Sequence, residues 1–322
     1  MLFAVSVSES AAQTEEWGDS YRTYTINVNT KDSVSVELSY TIRFFNKKTV
    51  GKYETTSIDS FLMLLTQDIQ KQPLDNSDLL FYFHGMFGGQ PANYNYTLLD
   101  FKERYLDKEN SSMCRVIGYR WPAQNAAYIR NKEVAYQIAD TLSDNFNHLV
   151  SAIREEDNKV NVIANSLGAE LLKEMLKYEL QRDTNQLQLN QVIISAPDLV
   201  DTAIESDEIM SMAVDLCHRI TVYYSQKDFT LTISKNLNKE NRLGLNGPSS
   251  NTEGNDKICY VEVTDISDEK NLAWKMTGHS YVRASDIISR DMLSAMMGEE
   301  ANQISNREEQ EKERNIFRLK PE

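Results

Sequence analysis

Between residues 79 and 263 the chain contains six short, almost wholly apolar runs, and they narrow the folds open to it. They occupy 79–83, 115–119, 160–164, 191–195, 219–224 and 259–263. Runs this short, without apolar–polar alternation, fit strands buried on both faces. Stretches near 92–107, 130–156, 167–182, 199–214 and 229–236 separate them and carry helical spacing. Strand–helix alternation of this length predicts an α/β fold: a mostly parallel sheet between two helical layers, joined by right-handed crossovers.

The flanks follow other patterns. Residues 2–7, 21–28 and 33–40 alternate and are rich in β-branched and aromatic residues. They predict antiparallel strands with one solvated face at the edge of the sheet. A helix is expected at about 57–70, where Ile58, Phe61, Leu62, Leu65 and Ile69 form one apolar face. Residues 236–256, rich in Asn, Gly and Ser, read as a flexible loop. Residues 299–322 are dense in charge and read as a solvated helix or disordered tail. Without a repeat or a clean linker, a single domain over 1–298 is the expectation, with an N-terminal region at 1–78 and a core at 79–298.

Composition weighs against several kinds of broad, non-specific binding. A net charge of −14 opposes broad binding to nucleic acid or anionic lipid. Cys114, Cys217 and Cys259 are odd in number and far apart, with no zinc spacing and no disulfide framework. Nothing approaches a membrane span. The apolar start, residues 1–7, is too short for a signal peptide and has no basic residue before it. A cytoplasmic protein is expected, unless a leader precedes Met1.

Chemistry concentrates where the third run meets its helix. Val160-Asn161-Val162-Ile163-Ala164-Asn165-Ser166-Leu167-Gly168 passes from strand to helix with a serine at the joint. This is the layout of a nucleophile elbow, a tight turn that exposes a serine at the sheet edge. Gly168 lets the helix pass close to the strand. The alternative is that Ser166 only caps the helix. Open parallel sheets bind ligands beyond the carboxyl ends of their strands, so the other strand ends matter. The first buried run ends in His84-Gly85-Met86-Phe87-Gly88-Gly89, whose backbone N–H groups could face a developing oxyanion. The second ends in Trp121-Pro122, either a substrate wall or a core tryptophan. The fourth and fifth deliver Asp198 and Asp228.

Four histidines narrow the base. His84 belongs to the glycine loop, His148 sits within a helix, and His218 precedes its strand at the opposite end of the sheet. His279, after the last run, is the one placed to reach Ser166. Asp228 and Asp198 compete as the acid. The position two strands after the serine strand favours Asp228, while Asp198 could cap a helix starting at Leu199.

With these residues in order, the chain resembles the α/β-hydrolase superfamily. More narrowly, it resembles an uncharacterised, mostly bacterial group known only as a domain of unknown function. The resemblance runs from about Leu79 to Met297. It rests on His84-Gly85, Trp121-Pro122, Asn165-Ser166-Leu167-Gly168, Ala196-Pro197-Asp198, the 225–228 segment and His279-Ser280-Tyr281. Ala164 and Asn165 depart from the usual elbow, and Asn165 would face the site. The resemblance implies a serine hydrolase of a carboxylic ester or related acyl substrate. Ser166 would be the nucleophile, His279 the base and Asp228 the acid, with backbone N–H groups of Leu167 and Gly85 or Met86 at the oxyanion. His84, Asn165, Trp121 and Asp198 would line the site. No metal or organic cofactor is implied. Thioesterase and peptidase activities would use the same residues, and a non-catalytic binding or scaffolding protein is the rival class. The 236–256 loop and the Tyr94–Tyr105 helix are the candidate lids.

Overall fold

A computed structural model describes residues 21–30, 33–44, 47–73, 75–89, 91–123, 127–154, 158–182, 187–268 and 276–321. The expected strand at 2–7 lies outside them. All six apolar runs are strands: β4 (Asp78–Phe83), β5 (Met113–Arg120), β6 (Val160–Asn165), β7 (Leu189–Ser195), β8 (Cys217–Tyr224) and β9 (Ile258–Glu262). Before them come β1 (Tyr21–Thr30), β2 (Ser33–Phe44) and β3 (Lys47–Thr56). After them come β10 (Arg307–Glu311) and β11 (Ile316–Leu319). All join in a single sheet of order β10-β11-β9-β8-β7-β6-β4-β5-β1-β2-β3. The pairs from β11 through to β1 are parallel, and only β10–β11, β1–β2 and β2–β3 are antiparallel.

Each central strand is buried on both faces because the two helical layers each claim alternate residues. Leu79, Phe81 and Phe83 of β4 pack with α1 (Ile58–Gln70), α3 (Tyr128–Arg154) and α4 (Leu167–Leu180). Leu80 and Tyr82 pack with α2 (Pro91–Phe101) and α9 (Asp286–Met296). The short helices are α5 (Ile209–Met212), α6 (Phe229–Asn238), α7 (Leu243–Asn246) and α8 (Tyr281–Ala284). This is the three-layer α/β architecture with an antiparallel N-terminal flank.

Four expectations are corrected. β1 has no solvated face: it pairs in parallel with β5, and Thr23 to Val28 are buried on both sides. The expected helix at 199–214 is mostly turns, with α5 as its only α-helical turn. Residues 236–256 are not a flexible loop. α6 extends to Asn238, and Leu243 and Leu245 of α7 are buried. The N–H of Leu243 bonds Leu199 O and that of Gly244 bonds Pro197 O, so α7 is stitched to the end of β7. The charged end is not a solvated tail. Ile316, Phe317 and Leu319 are buried in a strand beside β9, and Arg307 makes a bidentate pair with Asp291 at 2.7 and 2.8 Å. Charge density concealed a period of two, and the partner that neutralises Arg307 lies on another element.

Candidate active site

Ser166 occupies a backbone that few residues adopt, with φ 55° and ψ −123°. Such a conformation costs on the order of 1–3 kcal/mol and persists only where surrounding contacts enforce it. Here the Ser166 N–H donates to Ser195 O on β7 at 2.9 Å, and its carbonyl accepts from Asp198 and Ala169. The helix beyond runs against the end of β4. A Cβ on Gly168 would strike Phe83 O and lie 2.7 Å from His84 O, so only glycine fits. The Ser166 side chain makes no capping bond to α4. The helix-cap reading therefore fails.

The loop after β4 lies directly against this serine. A Cβ on Gly85 would come within 2.7 Å of Ser166 Cβ and 3.3 Å of its Oγ. The Phe87 and Gly88 N–H groups are committed to Ala123 O and Gly85 O. Those of Gly85 and Met86 have no backbone partner among the described residues, and Leu167, the first residue of α4, is free by the geometry of helix starts.

His84 holds the loop from behind. Its Nε2 accepts the Trp121 N–H at 3.1 Å, so Nδ1 carries the proton and donates to Gly85 O at 2.7 Å. The Trp121 indole N–H returns a bond to His84 O at 2.9 Å, and the two rings stack. Burial pushes the His84 pKa down to about 4. Both rings are closed to solvent, so neither forms an open wall of the site. Trp121 is a core tryptophan.

Asp228 does two tasks at once. One carboxylate oxygen caps α6 by accepting the Leu231 N–H at 2.9 Å, and the other meets His279 Nδ1 at 2.6 Å. The imidazole is held edge-on with Nε2 free to face a substrate, and its side chain keeps 13% exposure. Burial pulls its pKa down, but the charge and hydrogen bond of Asp228, with Asp198 behind them, outweigh this and leave it raised. Tyr281 fixes the segment: its hydroxyl accepts from Ala196 N–H at 2.8 Å and donates to Tyr223 O at 2.9 Å. His279 is thereby tied to the ends of β7 and β8, the edge where Ser166 lies. Among the described residues no hydrogen bond joins Ser166 Oγ to His279; such bonds commonly tighten only when substrate binds.

Asp198 caps no helix. It is buried, accepts from Ser234 Oγ at 2.5 Å and lies 3.9 Å from Arg242. Asn165 is part-exposed, and its amide oxygen has no hydrogen-bond partner among the described residues. Of the two candidate lids, Tyr94 of α2 and Tyr105 of its continuation are buried, and α7, within the 236–256 segment, packs in the core. Ser234, Arg242 and Tyr281 gave no separate sequence signal of these roles, because each acts through a partner distant in the chain. His218 is exposed at the amino edge, in a cleft of about 480 Å³ with Arg219, Lys257 and Phe317. His148 is exposed on α3.

A family described as alpha/beta hydrolase of unknown function (DUF900) matches residues 62–296. The chain belongs to this family. The matched stretch holds Ser166, Asp228, His279 and the His84–Gly89 loop, while β1–β3, β10 and β11 lie beyond it. No curated protein matches the chain. Among the described residues no group of His, Cys, Asp and Glu is arranged to hold a metal ion, and no helix is long and apolar enough to cross a membrane.

Proposed function

We propose that the protein is a serine hydrolase that cleaves a carboxylic ester or related acyl substrate through an acyl-enzyme. The observation that carries this reading is the strained Ser166 turn, which releases the hydroxyl from helix capping and sets it against Gly85. Strain of this kind at a strand–helix joint has no stabilising purpose here, since a plain serine cap would favour the helix more.

In this mechanism His279 Nε2 takes the Ser166 proton as the hydroxyl attacks the substrate carbonyl. Asp228 keeps the imidazole in the Nδ1–H tautomer and stabilises the imidazolium that forms. The negative charge that develops on the carbonyl oxygen is met by the N–H groups of Leu167 and of Gly85 or Met86. Each such donor contributes about 3 kcal/mol to the transition state. His279 then returns the proton to the leaving group, and water repeats the sequence in reverse to free the acid. Because the base must be neutral, kcat/KM should rise with pH through a single ionisation above the ordinary histidine value.

A fluorophosphonate probe tests the assignment directly. The protein should be labelled on Ser166, and Ser166→Ala should lose both the label and any ester hydrolysis, a fall on the order of 10⁶ in kcat for a whole triad. An unlabelled wild-type protein, or a label that survives the substitution, would assign the fold to a binding or scaffolding role.

A further inference from the structure

Ten large apolar side chains are exposed among the described residues, and six of them lie on segments that follow the carboxyl ends of β4, β5, β8 and β9. Phe229, Ile233 and Leu237 form an i, i+4, i+8 stripe along the outer side of α6, at 59, 47 and 61% exposure. Ile129, at the start of α3, adjoins them, because its neighbour Tyr128 bonds Ser234 and Asn238 of α6. Phe87 and Met276 complete the group. Each of the three site segments therefore carries an exposed apolar residue: Phe87 two residues past Gly85, Phe229 next to Asp228, and Met276 three before His279.

The charge around the stripe is opposite to that of the chain. Residues 128–132 and 227–239 hold Arg130, Lys132, Lys227, Lys235 and Lys239 and a single acid, Asp228, which is buried on His279. Beyond them, Glu240 is paired with buried Arg242, Asp265 stands 3.9 Å from Lys227, and Glu133 follows Lys132. In a chain of net charge −14 this is a local basic patch around an apolar ridge. That combination fits the plane of an anionic bilayer, with aliphatic side chains among the acyl chains and ammonium groups at the headgroups. Acids on the far faces act weakly across it, because the Debye length at physiological salt is about 8 Å. A second copy is the poorer occupant: a two-fold contact would set the same basic patch against itself.

We propose that the protein docks through α6 and the start of α3 on an anionic lipid bilayer and takes its acyl substrate there. The docking stands on the surface alone, whereas the choice of substrate rests on the serine-hydrolase reading. The test is co-sedimentation of the full chain with vesicles of phosphatidylcholine alone, or with about 30% phosphatidylserine, at about 0.15 M salt. The wild type should bind the anionic vesicles roughly tenfold more strongly or better, and about 1 M salt should remove the preference. Ile233→Asp with Leu237→Asp should lose binding to both, and Lys235→Glu with Lys239→Glu should lose the preference. Fluorophosphonate labelling in solution should be unchanged in both variants, which shows that their fold and site are intact. Wild-type protein that stays in the supernatant, or variants that sediment as it does, would overturn the docking. So would a concentration-dependent dimer that Ile233→Asp with Leu237→Asp dissolves. Vesicle binding as described without any fluorophosphonate label would leave the docking standing and remove the hydrolase reading.

Discussion

Two loops at the same sheet edge each carry a histidine, one buried and one part-buried, and their partners send the two rings in opposite directions. In the His84–Gly89 loop the ring nitrogens meet only backbone, a carbonyl at Nδ1 and an amide at Nε2. Both nitrogens are occupied, the neutral tautomer is fixed, and burial lowers the pKa to about 4. In the 278–281 segment burial acts in the same direction, but the Asp228 carboxylate on Nδ1 reverses the outcome, and among the described residues Nε2 has no hydrogen-bond partner. Burial alone does not make a histidine a base. A carboxylate on one nitrogen and a second nitrogen open to substrate are what suit it to the proposed role.

The contrast can be broken most strongly at Asp228. Asp228→Asn keeps a side-chain oxygen for the α6 cap but removes the charge, and kcat should fall on the order of 10⁴-fold with the fold retained. A fall of less than about tenfold would mean that the carboxylate is not what separates the two loops. At Gly85 the effect should be smaller. Gly85→Ala drives a methyl against Ser166 and moves the donor loop, so kcat should drop by roughly 10²-fold or more while circular dichroism is unchanged. An active Gly85→Ala enzyme would show that this loop is not part of the site.

The least effect, and the sharpest contrast, lies in stability against pH. His84 has a lowered pKa, so between about 4 and the unfolded value near 6.5 only the unfolded chain binds this proton. Its contribution is present at neutral pH and is lost on acidification, a difference of about 3 kcal/mol once pH is below 4. His279 has a raised pKa, so its contribution is complete below about 6.5 and is lost as pH rises through its folded value. Urea titrations over this range should show His84→Phe with a flatter acid limb than wild type and His279→Asn with a flatter limb above pH 6.5. Parallel limbs in the two variants would mean that the histidines do not differ as their contacts imply.

Much of this arrangement was legible in the chain. The doubly buried strands announce themselves as unbroken apolar runs, since a strand covered on both faces has no polar side to alternate with. The elbow is legible for a related reason, because a strand passing straight into a helix needs glycine where the two backbones cross. Other features were hidden by composition. Residues 243–246 read as loop because a four-residue helix has no periodicity to detect, yet Leu243 and Leu245 are core. The last strands read as tail because Arg307 and Arg318 look solvated until Asp291 and Glu262 are seen beside them. By sequence Asp198 is the aspartate offered as a possible helix cap, whereas in the fold Asp228 caps α6 and holds His279 with its two oxygens.

The sequence by itself determined the six doubly buried strands of the core and their order along the chain, the serine at the joint and the short roster of acids and bases. Local spacing and side-chain chemistry suffice for that. Only the tertiary structure decided which aspartate meets His279, that His84 is a neutral strut with both nitrogens bonded, and that Ser166 is withheld from its helix. Each of these depends on a contact between segments tens of residues apart, and a pKa or a strained backbone is set by what surrounds a residue in space.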